Sequence, residues 1–351
     1  MTVFYAFKQS EDAGEEEAGS GQDGGDEEIA AGGVAVPQAA LQSASQAAAQ
    51  VSTGWETMLE GLIRAGFEIT GTWPMRTEGA GRIVAKGTNA LASSIVLSCR
   101  SRPVDARLST RRDFLGELKK ELPEALRHLQ AGNIAPVDLA QAAIGPGMAI
   151  FTRYAKVIEA DGSSMRVRQA LALINQTLDE TLAEQEGEFD AETRWTLAWF
   201  EQFGMEEGPF GLAETLSKAK NTAINGLVEA GIISARSGKV RLLKREEIVL
   251  QASSLLSKPA GTMPAPQWQI VQRLIQELET GGELAAAGLL RQLGNAGEPA
   301  RDLAYRLYNM CDRKKWAQEA LAYNSLVIAW PEISKLAHSA PAPQQSQKEM
   351  F

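Results

Sequence analysis

Histidine and cysteine are almost missing from this chain, with two of each in 351 residues. Cys99 and Cys311 lie too far apart for a zinc knuckle or a dithiol redox motif, and His128 and His338 add no ligand cluster. Metal catalysis is therefore not expected, and each thiol reads as structural. Also lacking is any run of about eighteen apolar residues, and the first residues carry no basic stretch, apolar core and small-residue cleavage site. The chain is expected to be cytoplasmic, with no membrane partner. A third absence is local. No Lys or Arg occurs between Lys8 and Arg64, while nine acids stand between Glu11 and Glu28. Those nine equal the whole formal net charge of −9 and leave 35 basic against 35 acidic residues elsewhere. Net charge thus does not argue against basic patches on the folded part.

What is present is a composition, 44% hydrophobic and 6% aromatic, that can bury a core. Thr2-Val-Phe-Tyr-Ala-Phe7 has the β-branched and aromatic content of a strand. Residues 11–52 are acidic and rich in Gly, Ala, Ser and Gln, too poor in large apolar side chains to offset the entropy of ordering. They read as a disordered insertion with a nascent helix near Ala39 to Gln50. Thr53 can cap a helix in which Met58, Leu59, Leu62 and Ile63 recur at helical spacing, with Gly66 as its stop. Two strands follow, Phe67 to Trp73, ended by Pro74, and Ser93 to Cys99. Strand, helix, strand, strand is the pattern of the last third of a Rossmann-like sheet, so residues 1–102 are assigned to the edge of such a domain, with pairing of parallel type.

Beyond Pro103 the pattern is helical. Phe114, Leu115, Leu118 and Leu122 form one stripe, and Val167, Leu171, Ile174, Leu178 and Leu182 another, with Gly145-Pro-Gly147 expected to break the chain between helices. Residues 103–190 are read as a helical region. In residues 251–337 four helices are expected, over Trp268 to Leu278, Leu284 to Leu293, Leu303 to Met310 and Trp316 to Trp330, as a bundle or short stack. Residues 338–351 form a polar tail. The aromatic string Trp195 to Phe200 has helical spacing and reads as core rather than as a base-stacking platform.

Residues 191–250 carry a second constellation. Leu212 to Ala219 and Thr222 to Ala230 read as two short helices, the second stopped by Gly231, and Ile232 to Leu243 as two strands around a Ser-Gly turn. Helix, turn, helix, hairpin is the order of a winged helix, in which the second helix can enter the major groove while a basic wing touches phosphates. Lys218, Lys220, Asn221, Thr222, Asn225, Arg236, Lys239 and Arg241 are the DNA-binding candidates, with Lys244 and Arg245 adding to the positive face. The other reading is a small helical subdomain whose hairpin serves packing or a protein contact. The fold class expected for the whole is α+β, a Rossmann-like sheet fragment followed by a mainly helical region with a winged-helix-like unit.

Long strings in the chain resemble the adenine-specific DNA methylases associated with anti-phage defence, which use S-adenosylmethionine. They are Val3-Phe-Tyr-Ala-Phe-Lys-Gln-Ser-Glu11, Gly54-Trp-Glu-Thr-Met-Leu59, the stretch from Ala65 to Glu78, Gly87 to Val96, Asp138 to Gly147 and Ala300 to Tyr308. The resemblance implies a base-flipping enzyme that methylates the exocyclic amine of adenine, using a glycine-rich cofactor turn and an Asp/Asn-Pro-Pro-aromatic loop. Neither is here: the chain has no Pro-Pro dipeptide, and its short glycine loops, Glu78-Gly-Ala-Gly81 and Gly145-Pro-Gly147, do not sit between an opening strand and a helix. The family places those motifs upstream of the first strand. The resemblance therefore implies a C-terminal portion, inactive alone and binding S-adenosylmethionine weakly at most, whose partners are double-stranded DNA and the N-terminal methyltransferase half or other defence-system proteins. Lys8, Trp73, Pro74 and Glu78, at or past strand ends, become substrate-pocket candidates only through the resemblance; from the residues alone they read as strand-end packing and solvated charge. The competing function is a non-enzymatic DNA-binding or assembly subunit of a defence system.

Overall fold

The computed structural model describes residues 1–5, 53–76, 93–248 and 265–339 of an α+β chain. The chain divides into two compact units, one of Met1–Thr77, Ser93–Leu118 and Ile144–Asn175, the other of Glu78–Ala92, Lys119–Ala143 and Gln176–Phe351. The expected disordered insertion and its nascent helix lie outside the described residues, as does the expected tail from residue 340 on; its first residue, His338, is helical instead.

The first unit is built on strands β1 (Thr2–Tyr5), β2 (Phe67–Arg76) and β3 (Ser93–Ser101), with helix α1 (Thr53–Arg64) between the first two. The sheet order is β1-β3-β2, and both pairings are antiparallel. Pairing of parallel type was the expectation, and the reason for the difference is the direction of β3, which runs against β1 and β2 and so leaves those two pointing the same way. Helix α1 ends as expected at Gly66, whose φ of +80° is the left-handed conformation a glycine adopts at low cost. Pro74 does not end its strand. It pairs with Ile95 inside β2, which continues to Arg76. Proline is tolerated there because β2 is an edge strand of the described sheet, where one backbone N–H in two has no ladder partner.

Strands β4 (Leu108–Thr110) and β5 (Lys156–Ile158) pair in parallel. Helices α2 (Arg111–Ala131), α3 (Pro136–Thr152) and α4 (Val167–Glu184) each contribute residues to both units. Gly145-Pro-Gly147, expected to break the chain, lies inside continuous α3. The glycines are explained by packing. A Cβ on Gly145 would overlap the Thr72 side chain, and one on Gly147 would stand 2.5 Å from Ile174 Cγ1. Close approach outweighs helix propensity at both positions. Thr152 then donates its hydroxyl to the Met148 carbonyl at 2.8 Å and accepts from the Ile69 amide at 2.9 Å, tying α3 to β2.

The second unit contains α5 (Ala191–Phe203), β6 (Gly208–Pro209), α6 (Phe210–Lys220), α7 (Ile224–Glu229), β7 (Ile233–Arg236) and β8 (Lys239–Leu242). It also holds α8 (Gln267–Leu293), α9 (Pro299–Lys314) and α10 (Ala317–His338). Helix α8 bends sharply at Gly282, which has φ 70° and ψ −167° and divides it into the two helical stretches that the sequence pattern expects. Trp195, Trp199 and Phe200 are fully buried, and the two indoles stack with centroids 5.3 Å apart, so the aromatic string of α5 is core. Among the described residues no helix is long and apolar enough to cross a membrane.

Candidate nucleic-acid interface

The segment from α5 to β8 is assembled from local signals. Asp190 caps α5, its Oδ1 accepting from the Thr193 amide at 2.7 Å and its Oδ2 from the Thr193 hydroxyl at 2.7 Å. The same Oδ2 accepts from the Gln267 amide at 2.9 Å, which fastens α5 to the start of α8. Gly208 lets β6 cross under the Trp199 ring, where a Cβ would come within 2.6 Å. Helix α6 ends at Asn221, held left-handed at φ 56° with its amide bonded to the Ser217 carbonyl. Helix α7 ends at Gly231, at φ +71°. The β7–β8 hairpin turns through Ser237 and Gly238, both at positive φ, 51° and 76°, a two-residue turn whose twist suits antiparallel strands. Strand β6 pairs with β8 on the side away from β7, giving the order β6-β8-β7, and the Phe210 amide donates to the Gly238 carbonyl at 2.9 Å. The hairpin is thereby seated against the first turn of α6.

Of the residues named from sequence, Asn221 and Asn225 are exposed, flanking the start of α7. The Thr222 hydroxyl is buried without a partner. Lys220 and Arg236 carry no ion pair or hydrogen bond from their side chains among the described residues, and Arg236 is exposed at the hairpin tip. The other three cations are engaged. Lys218 pairs with Glu214 at 3.6 Å, Lys239 with Glu207 at 3.1 Å, and Arg241 grips Glu247 through two hydrogen bonds of 2.7 Å. The Arg241 hydrogen bonds, helped by the Lys244 amide, hold the Glu247 carboxyl down to about 2. Arg245 does not join a positive face. It turns inward, donating to Gln272 Oε1 at 2.9 Å, pairing with Glu319 and lying over the Tyr323 ring. Lys218 and Glu214 are an i,i+4 pair that helical spacing shows, whereas Glu207 and Glu319 approach Lys239 and Arg245 only through the tertiary fold.

The methylation-pocket candidates fall in the first unit. Lys8 and Glu78 lie outside the described residues. Trp73, opposite Val96 in β2, is 58% exposed, its indole lying across Gly71, and Pro74 is the next residue of the same strand. The glycines of Gly145-Pro-Gly147 are packed against the Thr72 and Ile174 side chains, and the other short glycine loop, Glu78-Gly-Ala-Gly81, lies outside the described residues. No group of three or more His, Cys, Asp or Glu that could hold a metal occurs among them.

Residues 190–350 match the model of a family described as a domain of unknown function, DUF8807. The match opens on Asp190, the cap of α5, and takes in the β6-β8-β7 sheet and helices α8 to α10. No curated protein and no solved structure matches the chain.

Proposed function

We propose that this chain is the non-catalytic, duplex-DNA-contacting part of an adenine-specific DNA methyltransferase of the phage-defence kind, and that residues 191–248 are its winged helix. The observation that carries the reading is the path α5-β6-α6-α7-β7-β8 with sheet order β6-β8-β7, a two-stranded hairpin following two consecutive short helices, which is the element order a winged helix requires. Asn221 precedes and Asn225 lies within the first turn of the helix that would address base edges, and Lys220, Arg236 and Lys244 have charge to spare for phosphates. A second feature supports the methyltransferase ancestry. The two co-directional strands β1 and β2, connected through α1 and separated by the opposed β3, suit the far edge of a Rossmann-like sheet that admits an antiparallel strand.

The test is fluorescence anisotropy of the full chain with a labelled duplex across a salt series. Arg236→Ala should flatten the dependence of log affinity on log salt by about 0.9, one phosphate contact, whereas Arg241→Ala should leave that slope nearly unchanged. Absence of binding to duplex at about 50 mM salt would end the reading. A second reading, docking onto a protein of the same system, is favoured by charge balance and apolar exposure. Residues 191–248 hold eight acids and eight bases, and Phe210, Leu212 and Val228 are 38%, 47% and 41% exposed on α6 and α7.

A further inference from the structure

An asparagine followed by glycine is the pair in which a backbone nitrogen most readily reaches a side-chain carboxamide, because no Cβ on the second residue stands in the way. The chain has eight asparagines, and Asn225 alone is followed by glycine. Asn225 and Gly226 lie in the first turn of α7, both exposed, with open space where a Cβ on Gly226 would stand. The fold leaves both reacting groups unoccupied. The Asn225 carboxamide makes no hydrogen bond among the described residues. Gly226 is the third residue of the helix, in the turn whose amides have no intrahelical acceptor, and its N–H finds no other acceptor among the described residues. The first helical bond at this end runs from the Leu227 amide to the Ala223 carbonyl at 3.0 Å. Turning Asn225 out of helical ψ, as ring closure requires, opens that bond at the fraying end of a six-residue helix.

We propose that Asn225 is a self-modifying site, at which the folded chain exchanges a neutral amide for a carboxylate as it ages. The Gly226 nitrogen attacks Asn225 Cγ. A bond from that nitrogen to Cγ forms as the Cγ–Nδ2 bond breaks, and the proton lost by the Gly226 nitrogen leaves with Nδ2 as ammonia. Water then opens the cyclic imide at one of its two carbonyls. Opening at Cγ leaves an aspartate at position 225, and opening at the main-chain carbonyl leaves an isoaspartate, in which the backbone runs through Cβ and Cγ. No atom changes oxidation state, and water is the sole co-reactant. Either product puts a carboxylate in the first turn of α7, one helical turn before Glu229. A negative charge there suits the positive end of a helix and repels a phosphate backbone. The conversion stands on these residues alone; its effect on duplex binding, a loss of affinity, rests on the winged-helix reading above.

The experiment incubates the full-length wild type and Gly226→Ala at mildly alkaline pH, with circular dichroism confirming that both stay folded. Samples withdrawn over weeks are digested with an acid-active protease, which suppresses reaction during handling, and are read by mass spectrometry with fragmentation. The wild type should gain the mass of ammonia exchanged for water at position 225, in two forms that chromatography separates. Asn221 and Asn295, also exposed but followed by Thr and Ala, should lag behind. Gly226→Ala, whose methyl enters open space, should slow the conversion severalfold. Conversion at position 225 no faster than at Asn221 and Asn295 overturns the proposal, as does conversion that appears only when the wild type is unfolded in urea. Anisotropy of Asn225→Asp with a labelled duplex separates the two readings. Wild-type affinity in that variant counts against α7 as the groove helix and leaves the conversion in place, whereas a severalfold loss of affinity without conversion of the wild type does the reverse.

Discussion

Placing Gly145-Pro-Gly147 inside α3 makes a quantitative prediction at Gly147. A Cβ there would meet Ile174 Cγ1, Cδ1 and Cγ2 at 2.5, 2.6 and 2.8 Å, and Ile174 is fully buried. Gly147→Ala should therefore incur an overpacking cost of about 1–3 kcal/mol, offset by about 1 kcal/mol for replacing glycine in a helix interior, a net loss near 1 kcal/mol. Ile174→Ala alone removes a buried side chain and should cost about 3 kcal/mol. In the double variant all three clashing atoms are gone, the helix-propensity gain is kept, and the new methyl fills part of the space, so the loss should be about 2 kcal/mol rather than the additive value of about 4 kcal/mol. The assay is urea unfolding followed by far-ultraviolet circular dichroism, comparing midpoints at constant slope. A coupling energy within about 0.5 kcal/mol of zero, or a Gly147→Ala variant stabilised by the full propensity gain, would refute the packing of α3 against α4.

Further outcomes follow from the second unit and from the missing motifs. Asp190→Ala should cost about 2 kcal/mol or more in thermal or urea unfolding, at the top of the range for a cap, because the Gln267 amide loses its acceptor together with Thr193. Glu247 is depressed in the folded state, so its contribution is fully present above its ordinary value near 4.5 and fades as pH falls toward about 2. The pair is about one-third exposed, 28% and 37%, which limits that contribution to about 1 kcal/mol, and Glu247→Gln should flatten the stability profile across that acid window. Purified chain should transfer no methyl group from labelled S-adenosylmethionine to adenine-containing duplex; incorporation of label would overturn the non-catalytic reading.

Much of the helical architecture was legible because burial there has a 3.6-residue period: the stripes through Phe114, Leu118 and Leu122 and through Leu171, Ile174, Leu178 and Leu182 are all buried. Gly66 and Gly231, and the Ser237-Gly238 turn, announced their stops through backbone conformations that glycine or a two-residue hairpin turn requires. Two local rules failed for reasons outside their windows. Pro74 was tolerated at an edge, and Gly145-Pro-Gly147 was selected by neighbours, Thr72 and Ile174, that lie 73 and 27 positions away along the chain. Strands β4 and β5, three residues each, are too short to show alternation, and their pairing joins residues 48 apart. Nothing local could announce them.

The same distinction governs the candidate surfaces. A count of lysines and arginines treats every cation as available, yet Lys239 and Arg241 neutralise Glu207 and Glu247, and Arg245 is drawn inward by Gln272, Glu319 and Tyr323. Their charge goes to fastening the hairpin and the start of the next helical turn to the rest of the second unit, a role in which alanine substitution lowers stability and barely alters a salt slope. Within residues 191–248 the cations whose side chains have no partner among the described residues are Arg194, Lys220, Arg236 and Lys244. Electrostatic recognition follows uncompensated charge rather than formal charge. Arg236→Ala and Arg241→Ala therefore separate spare charge from charge already neutralised: the first should lower the salt slope by about 0.9, and the second should leave it nearly unchanged.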